Sequence, residues 1–412
     1  MRIGIVSQWY SPEPIFIADN LAAELVARGH TVRVLTAFPN YPQGRIYPGF
    51  RQRWGYRSTT GGLTLHRVPI YPSHDSSAAR RAMNLLSFAA TSSIAALRHL
   101  ADVDAIYAYS PPPTTFAGPA LLGRIRRIPT VLHVQDMWPE SVTASALAPG
   151  GRVGRAIDSG LAATMRRIYR ASAGIAVIAP SMAELVVERG ADPGRVRVVL
   201  NWTDERLFRP ETPTDAAREA LGHRGRRTIM YAGNLGPFQR VGTAIRAAAA
   251  VADRVDLVFV GSGTEEPQAR RLADELGAGN VRFLGRQPPD RMAELYAAAD
   301  YQLITLRDLP GLRGTVPSKL QAALACGVPV IVSANGDAAR LVTAAGVGLA
   351  CPAEDWAALA DRFAMAAATG DDEVAAIGRR ARQVYLERMS LRVGVDQIED
   401  MLLKAAATGG CG

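Results

Sequence analysis

Residues 309–332, LPGLRGTVPSKLQAALACGVPVIV, decide the fold of this chain better than any other stretch. The pattern predicts a turn, a short helix that begins at Ser318 and ends at Gly327, and then a β-branched strand. With Ser318 as the expected N-cap, Lys319 lies in the first helical turn, where the helix dipole is positive. A cation fits there if an anion such as a phosphate binds over the helix start. The plain alternative is a surface lysine whose stem packs on its neighbours.

Charge and lysine usage both favour an anionic partner. Of the 47 Lys+Arg residues only Lys319 and Lys404 are lysine, which leaves 45 arginines. Residues 1–210 hold 24 arginines against 14 acids, a net charge of +10, and the remainder has 23 cations against 24 acids, a net charge of −1. Such a field attracts nucleic acid, acidic lipid or phosphorylated small molecules, and no nucleic-acid-binding signature accompanies the arginines.

Length and composition indicate a globular enzyme with two domains. The chain has 412 residues, of which 48% are hydrophobic and 21% charged. Three irregularly spaced cysteines form neither a disulfide framework nor a metal-ligand pattern, so a reducing cytoplasm is expected. The sequence starts directly in a strand pattern and no apolar run reaches the roughly 18 residues of a membrane span. The expected location is cytoplasmic, with room for peripheral contact at the inner face of the cell membrane through the basic first domain.

Strand and helix patterns alternate along the chain in two series. The predicted strands cover residues 2–6, 31–37, 63–69, 105–109, 130–134, 174–178 and 196–200, and then 228–231, 256–261, 281–284, 301–305 and 328–332. Continuous β-branched runs separated by helices predict parallel sheets covered on both faces. The Pro-rich and charged stretch 201–227 reads as a linker. The fold class is therefore α/β, with two doubly wound, Rossmann-like domains facing a cleft and ligands bound at the carboxyl ends of the strands.

Several common site motifs are missing from the sequence. No G-x-G-x-x-G follows the first strand, Gly261-Ser-Gly263 lacks the third glycine, and no P-loop is present. There is no H-E-x-x-H and no G-x-S-x-G, and the six histidines show no metal spacing. Dehydrogenase, P-loop, metalloenzyme and serine-hydrolase functions therefore lack support.

Two loops carry the candidate chemistry. Residues 133–140, HVQDMWPE, follow a predicted strand and place two carboxylates, an amide and an indole at the expected cleft edge. His133 itself is more often a satisfied core histidine than a site residue in such a strand. Residues 231–236, YAGNLG, end the first strand of the second series, where glycines let bare amides face a phosphate, although an ordinary turn fits equally well.

One helix pattern leaves two alternatives open. In residues 80–100 the apolar positions 83, 86, 90, 94 and 97 form one stripe with basic residues at both ends. A stripe of this kind usually faces the core of its domain. The alternative is a helix that lies against an anionic membrane surface.

The motifs occur in an order that resembles the retaining GT-B glycosyltransferases of family 4, in particular the bacterial branch that builds surface polysaccharides. The resemblance covers nearly the whole chain. It rests on SQWYSPEP, RGHTVRVLTAFPNYPQGRIYPGF, SPPPTTFAG, VQDMWPES, YAGNLGPFQ, FLGR and VPSKLQAALACGVPVI.

The resemblance implies an acceptor-binding domain over 1–205, a nucleotide-sugar domain over 206–388, and a C-terminal helix and tail over 389–412 that cross back to the first domain. It implies sugar transfer from a nucleoside-diphosphate sugar to an acceptor hydroxyl with retention, without an obligatory metal and without a cofactor, since the nucleotide-sugar is a substrate. The acceptor is expected to be lipid-linked or a small molecule.

Matching positions assign the site residues that this resemblance implies. Asp136 and Lys319 are the catalytic candidates. The donor-binding candidates are Gly233, Asn234, Leu235, Gly236, Gln239, Arg286, Ser318, Lys319 and Gln321. The acceptor-binding candidates are Pro14, Ile15, Phe16, His133, Gln135, Trp138 and Glu140.

The chain also departs from the family pattern. The two glutamates that the family separates by seven residues fall on Gly314 and Ala322, so Gln321 is the nearest substitute for a ribose contact. Gln135 replaces a histidine and Gln239 a lysine. These departures keep a second hypothesis open, a non-catalytic GT-B scaffold that acts as partner or regulator of another transferase. A sugar-nucleotide epimerase lacks a convincing acid–base pair here.

Overall fold

The computed structural model describes residues 1–74, 77–140 and 151–409. They form two compact units, one made of Met1–Leu200 with the segment that starts at Gly394, the other of Asn201–Val393. Ser141 of the VQDMWPES motif and the expected tail residues 410–412 lie outside the described residues.

The first unit is built on a sheet of eight strands in the order β3-β4-β2-β1-β5-β6-β7-β8. All neighbours are parallel except β3, which pairs antiparallel with β4. The strands are β1 Arg2–Ser7, β2 Thr31–Ala37, β3 Tyr56–Thr60, β4 Leu63–Val68, β5 Ala105–Ser110, β6 Thr130–Val134, β7 Gly174–Val177 and β8 Val196–Val198. The helices are α1 Ile17–Ala27, α2 Ala78–His99, α3 Ala117–Arg126, α4 Gly151–Ala171 and α5 Pro180–Glu188.

The second unit has a fully parallel sheet of six strands in the order β11-β10-β9-β12-β13-β14. The strands are β9 Arg227–Ala232, β10 Val255–Val260, β11 Val281–Gly285, β12 Tyr301–Thr305, β13 Val330–Ser333 and β14 Gly348–Cys351. The helices are α6 Asp215–Leu221, α7 Val241–Ala250, α8 Glu266–Glu275, α9 Met292–Ala298, α10 Ser318–Cys326, α11 Asp337–Ala345, α12 Trp356–Ala368 and α13 Asp371–Arg388, and α14 Leu391–Gly409 closes the described chain.

Both sheets confirm the doubly wound fold class and explain where a site belongs. In the second unit the chain moves outward from β9 to β11 and then resumes on the other side of β9 with β12. The winding direction reverses between β9 and β12, and in such sheets ligands bind beside this point at the carboxyl ends of the strands. The loop after β9 and the loop that leads from β12 to α10 both start there.

The structure corrects some details of the sequence prediction. The strand β3 was missed because most of its residues are polar and exposed, and β14 because Gly348–Cys351 is short. The expected linker 201–227 contains α6, whose Leu221 is fully buried. Pro317, not Ser318, is the N-cap of α10, and Ser318 is its first helical residue.

The apolar stripe of α2 also departs from the favoured expectation, because it does not face the core. Met83, Leu86, Ile94 and Leu97 are all exposed, and Ala90 between them is exposed as well. The buried residues of this helix are Asn84, Phe88, Ser92, Ala95 and Ala96.

Residues 394–409 belong to the first unit through ion pairs and apolar contacts. Arg28 Nη1 lies 2.5 Å from Glu399 and 2.7 Å from Asp396, and Arg197 pairs with Asp400 at 2.8 Å. Leu402 on the same helix is fully buried. Within residues 1–74, 77–140 and 151–409, none of the helices combines the length and apolar character that a membrane crossing demands.

Candidate functional site

The centre of the candidate site in the second unit is the ammonium of Lys319. Its Nζ donates to the hydroxyl of Tyr231 at 2.8 Å and lies 4.3 Å from the centroid of that ring. The Tyr231 hydroxyl donates in turn to the carbonyl of Asn234 at 2.7 Å. Because Tyr231 is near the end of β9 and Lys319 opens α10, this chain of hydrogen bonds fixes the ammonium beside the loop that follows β9.

The Lys319 ammonium has no counter-ion in the described part of the chain. Its hydrogen-bond partner is the neutral hydroxyl of Tyr231, and no carboxylate in the described residues lies within ion-pair distance of Nζ. Burial of the side chain lowers the pKa of Lys319 from 10.5 to about 8. A partly desolvated cation without a counter-ion is costly, and an incoming anion relieves that cost.

Gly233 leaves the space next to this ammonium open. Its φ of +135° lies in a region that favours glycine, and a Cβ built there would be 2.8 Å from Lys319 Nζ. Any other residue would therefore both strain the backbone and fill the gap between the loop and the cation. Glycine at this position therefore keeps the space beside the Lys319 ammonium open.

The loop from Gly233 to Gly236 is held in place by its neighbours on the sheet. The amide of Gly233 donates to the carbonyl of Val260 at 2.8 Å, and that of Leu235 to the carbonyl of Ser262 at 3.0 Å. The amide of Gly236 donates to Gln239 Oε1 at 3.1 Å, so Gln239 shapes the loop. A rigid loop of this kind presents its remaining polar groups without a further ordering cost.

Two further residues predicted to bind the sugar donor, Arg286 and Ser318, lie near this loop. Arg286 is exposed, and its Nε donates to Ser262 Oγ at 2.6 Å. Ser318 is exposed at the first position of α10, and the N-cap Pro317 offers no side-chain acceptor to the helix amides. The uncapped start of α10 is thus suited to an anion, because its first amides carry partial positive charge.

Gln321 does not lie at an open surface. Its side chain is 3% exposed and its Nε2 donates to the carbonyl of Val316 at 3.3 Å. Gln321 therefore supports the loop before α10. Because its side chain is buried, it is not positioned to make the ribose contact expected of it. Ala322, at the position of the expected second glutamate, is buried in α10, and its methyl side chain offers no hydrogen-bond acceptor.

In the first unit, His133 is a core residue and not an accessible acceptor contact. It is fully buried in β6, its Nδ1 lies 2.5 Å from the hydroxyl of Tyr107, and its Nε2 lies 3.0 Å from Gln135 Nε2. Burial lowers the pKa of His133 to about 3, so the imidazole is neutral at physiological pH. His133 is therefore a satisfied core histidine, which is the more common role at such a position. Gln135 is half-buried beside it.

Asp136 is the carboxylate that the loop after β6 leaves exposed. Desolvation raises the pKa of Asp136, and burial together with the Asp136 charge raises the pKa of Tyr41. Tyr41 packs against Trp9 and His74 with ring centroids 4.9 Å apart in both pairs. The first unit thus has a carboxylate and an aromatic cluster in loops that follow strands of its sheet, which suits a substrate with hydroxyl groups and apolar faces.

Glu140 and Trp138 are engaged in holding the loop. The Glu140 carboxylate forms a two-point ion pair with Arg189, and Arg189 Nη1 also donates to the Trp138 carbonyl at 2.8 Å. Arg189 is the C-cap of α5, so the contact ties the loop to that helix. The predicted role of Glu140 in binding the sugar acceptor is therefore not supported, because Arg189 already neutralises its charge.

Pro14, Ile15 and Phe16 lie in the loop before α1, where Pro14 is exposed and the other two are half-buried. The buried carboxylate of Glu13 anchors this loop. It accepts from the backbone amides of Tyr10 at 3.0 Å, and of Asn40 and Tyr41 at 2.8 Å each. Glu13 thereby joins the loops that follow β1 and β2, a role that the sequence pattern did not indicate.

Comparison with known proteins identifies the family. Residues 17–202 match the protein family described as "Glycosyl transferase 4-like domain", and residues 213–384 match the family described as "Glycosyl transferases group 1". The chain belongs to the GT-B glycosyltransferases of the family-4 type. It is accordingly an enzyme that transfers sugars.

Individual relatives agree with this assignment. WcaI of Escherichia coli K12, whose name assigns it as a glycosyl transferase to colanic acid biosynthesis, is 28% identical over 346 residues, which cover 81% of this chain and 84% of WcaI. Alr3699/HepE of Anabaena, solved with UDP and glucose, has a TM-score of 0.67 at 18% identity and covers 98% of this chain and 99% of its own. Sucrose-phosphate synthase of Thermosynechococcus elongatus has a TM-score of 0.73 at 18% identity, with 99% of both chains covered. The two structures share the GT-B fold with this glycosyltransferase.

Sequence reasoning missed two residues of this glycosyltransferase that shape the surroundings of the loop after β9. The sequence pattern indicated Tyr231 only as a strand residue, although its hydroxyl connects Lys319 to the loop. Glu354 pairs with Arg240, the residue after Gln239, and accepts from the amide of Asp308 at 3.0 Å. No local sequence pattern indicates the ion pair of Glu354 with Arg240, because more than a hundred residues separate the two in sequence.

Proposed function

We propose that this glycosyltransferase moves a sugar from a nucleoside-diphosphate sugar to an acceptor hydroxyl with retention of configuration. The observation that carries the proposal is the Lys319 ammonium, which lies beside the open space at Gly233 without a carboxylate partner in the described chain. A diphosphate supplies the negative charge that this arrangement lacks. The complex of Alr3699/HepE with UDP and glucose supports the choice of a nucleotide-sugar donor.

In the proposed reaction the bond between the anomeric carbon and the diphosphate oxygen breaks, and the acceptor oxygen bonds to the same face of the sugar. Negative charge grows on the leaving diphosphate as the bond breaks. Lys319 and the first amides of α10 are fixed donors that stabilise this charge, and they need no reorganisation during the step. The acceptor proton passes to the leaving diphosphate.

The acceptor side of the proposal rests on Asp136 and the aromatic cluster of Trp9, Tyr41 and His74. A carboxylate next to aromatic faces suits a sugar or another polyhydroxylated acceptor. The acceptor is a lipid-linked saccharide or a small molecule, as the family resemblance implies. The scaffold hypothesis, which the positions of Gly314 and Ala322 raised, is not favoured, because the Lys319 ammonium, held by Tyr231 beside the open space at Gly233, supports binding of a diphosphate.

The test combines donor binding with a matched pair of lysine variants. The wild-type protein is titrated calorimetrically with a panel of UDP- and GDP-sugars and assayed for slow donor hydrolysis. Lys319→Ala should weaken binding of the preferred donor about 10- to 100-fold, because a charge-assisted hydrogen bond contributes about 1.5–3 kcal/mol. Lys404→Ala is the control, since the only other lysine is exposed and pairs with Asp400.

Two results would contradict the proposal. One is the absence of binding to every member of the panel, and the other is equal donor affinity in the Lys319→Ala variant and the wild type. Thermal unfolding of both variants verifies that the fold is retained.

A further inference from the structure

Helix α2 has two sides, and the side that faces outward is apolar. Met83, Leu86, Ile94 and Leu97 are exposed to 50%, 63%, 62% and 42%. These positions follow one another at intervals of three or eight residues, so they lie in one row along the helix. The buried positions of α2 lie on the opposite side, since each residue advances about 100° around the axis.

The two sides invert the usual distribution of polarity. The inward side buries Asn84, which accepts from Gln8 Nε2 at 2.8 Å and donates to the Tyr71 carbonyl at 2.7 Å, and it buries Ser92 as well. The outward side exposes the large aliphatic side chains. The packing of this unit therefore does not account for the apolar row, because the core contacts are made by other residues.

The concentration of exposed apolar side chains on α2 is unusual for this chain. Four large ones lie on this helix, and no other helix in the described ranges carries more than two. Scattered exposed leucines need no explanation, whereas a contiguous row marks an interaction surface.

The charge of the helix indicates the kind of partner. Its 22 residues contain no Asp or Glu. Arg80 and Arg98 are exposed near its two ends, about 80° around the axis from the centre of the row. A second copy of this chain is a poor partner for this face, because pairing two such helices brings arginines of both copies together. An acidic surface with an apolar interior matches both the arginines and the row.

We propose that the outward face of α2 docks on the surface of a bilayer that contains anionic phospholipid. The helix lies in the plane of the membrane, the apolar row enters the boundary between headgroups and acyl chains, and Arg80 and Arg98 contact lipid phosphates. The proposal does not depend on the donor chemistry of the second unit, because it concerns residues 83–97 of the first unit and their flanking arginines.

The experiment measures binding of the full-length protein to vesicles by sedimentation, without donor or acceptor. Vesicles of phosphatidylcholine mixed with phosphatidylglycerol should bind the protein, and vesicles of phosphatidylcholine alone should bind it much less. The double variant Leu86→Gln/Ile94→Gln should bind at least about tenfold more weakly, because two apolar side chains no longer enter the membrane. Leu276→Gln/Leu386→Gln, which changes two exposed leucines of the second unit, is the matched control and should bind like the wild type.

Further measurements separate the charge and apolar parts of the proposal. Arg80→Gln/Arg98→Gln should bind more weakly at low salt, and added salt should weaken the wild type only in part, since the apolar row is not screened. Circular dichroism and thermal unfolding verify the fold of each variant.

Several outcomes would overturn the proposal. They are no binding of the wild type to the anionic vesicles, equal binding to both vesicle types, unaltered binding by the Leu86→Gln/Ile94→Gln variant, and complete release by salt. A dimer in light scattering that this variant abolishes would assign the face to a second copy instead.

Discussion

Lys319 shows how one residue type can mark a site. In a chain with 45 arginines, the position beside Gly233 holds a lysine. A compact ammonium on a flexible stem can lie next to the bare backbone of a glycine, whereas the planar guanidinium of arginine needs more room. The ammonium also loses its proton more readily when solvent is removed, which makes the site sensitive to pH.

Tyr231→Phe tests how the ammonium is positioned. The substitution keeps the ring near Nζ but removes the hydroxyl that accepts from Lys319 and donates to the Asn234 carbonyl. We expect diphosphate affinity to fall about 2- to 10-fold, since a net hydrogen bond contributes about 0.5–1.5 kcal/mol. Calorimetric titration with UDP and GDP measures this loss. Affinity equal to that of the wild type would show that the ring alone holds the lysine.

The pH dependence of nucleotide binding follows from the depressed pKa of Lys319. With a pKa of about 8 in the free protein, the side chain is charged below that pH and neutral above it. We expect diphosphate affinity to fall as pH rises through about 8, because the neutral amine attracts no anion. In Lys319→Ala the affinity should stay flat over the same interval. Calorimetry between about pH 7 and 10 compares the two proteins, and a wild-type profile without a decline argues against the cation.

At the scale of elements, the loop after β9 depends on three glycines. Besides Gly233, the glycines Gly261 and Gly263 bring the turn after β10 against this loop. A Cβ on Gly261 would lie 2.0 Å from the Gly233 carbonyl oxygen, and one on Gly263 would lie 2.2 Å from the Leu235 carbonyl oxygen. The loops after β9 and β10 are therefore packed as one unit.

Two alanine substitutions should separate ligand access from loop packing. Gly233→Ala pushes mainly against the flexible end of Lys319, so donor affinity should drop with a cost to stability of about 1–3 kcal/mol from the strained φ. Gly261→Ala pushes against backbone, so both affinity and stability should drop, and stability by more than in Gly233→Ala. Gly279→Ala, which meets no atom within 4 Å, is the control. Thermal unfolding and UDP titration measure both effects, and equal stability of the two variants would contradict the packing argument.

Helix α2 shows what an element's sequence pattern leaves open. The stripe at 83, 86, 90, 94 and 97 predicted an amphipathic helix, and the helix is present. The pattern could not tell which side meets the core, because α2 also has small and aromatic residues on its other side. Contacts with other elements decided this, for example the close packing of Ala96 on α2 against Gly118 on α3.

At the scale of the whole molecule, the C-terminal segment completes the first unit. Val395, Ile398 and Leu402 of α14 are fully buried, and the Met401 side chain packs against Gly174 of β7. The ion pairs of Arg28 and Arg197 with the acidic residues of this helix lie around these contacts.

Leu402→Ala should destabilise the first unit by about 2–4 kcal/mol, because truncation of a buried leucine leaves a cavity. Its sequence neighbour Leu403 is 49% exposed, so Leu403→Ala should have almost no effect. Calorimetric unfolding together with hydrogen exchange of β7 measures the loss in the first unit. Equal behaviour of the two variants would mean that α14 contributes little to that unit.

The sequence by itself determined the fold class, nearly all strands, the place of Lys319 at a helix start, and the glycine loop after a strand of the second sheet. These features depend on local periodicity, on capping residues and on glycines, which adjacent residues encode. Only the tertiary structure decided that Tyr231 orients Lys319, that Glu13 joins two loops, that His133, Gln321 and Glu140 are occupied inside their own units, and that α2 turns its apolar row outward. Each of these depends on which distant residues meet, and no local pattern contains that information.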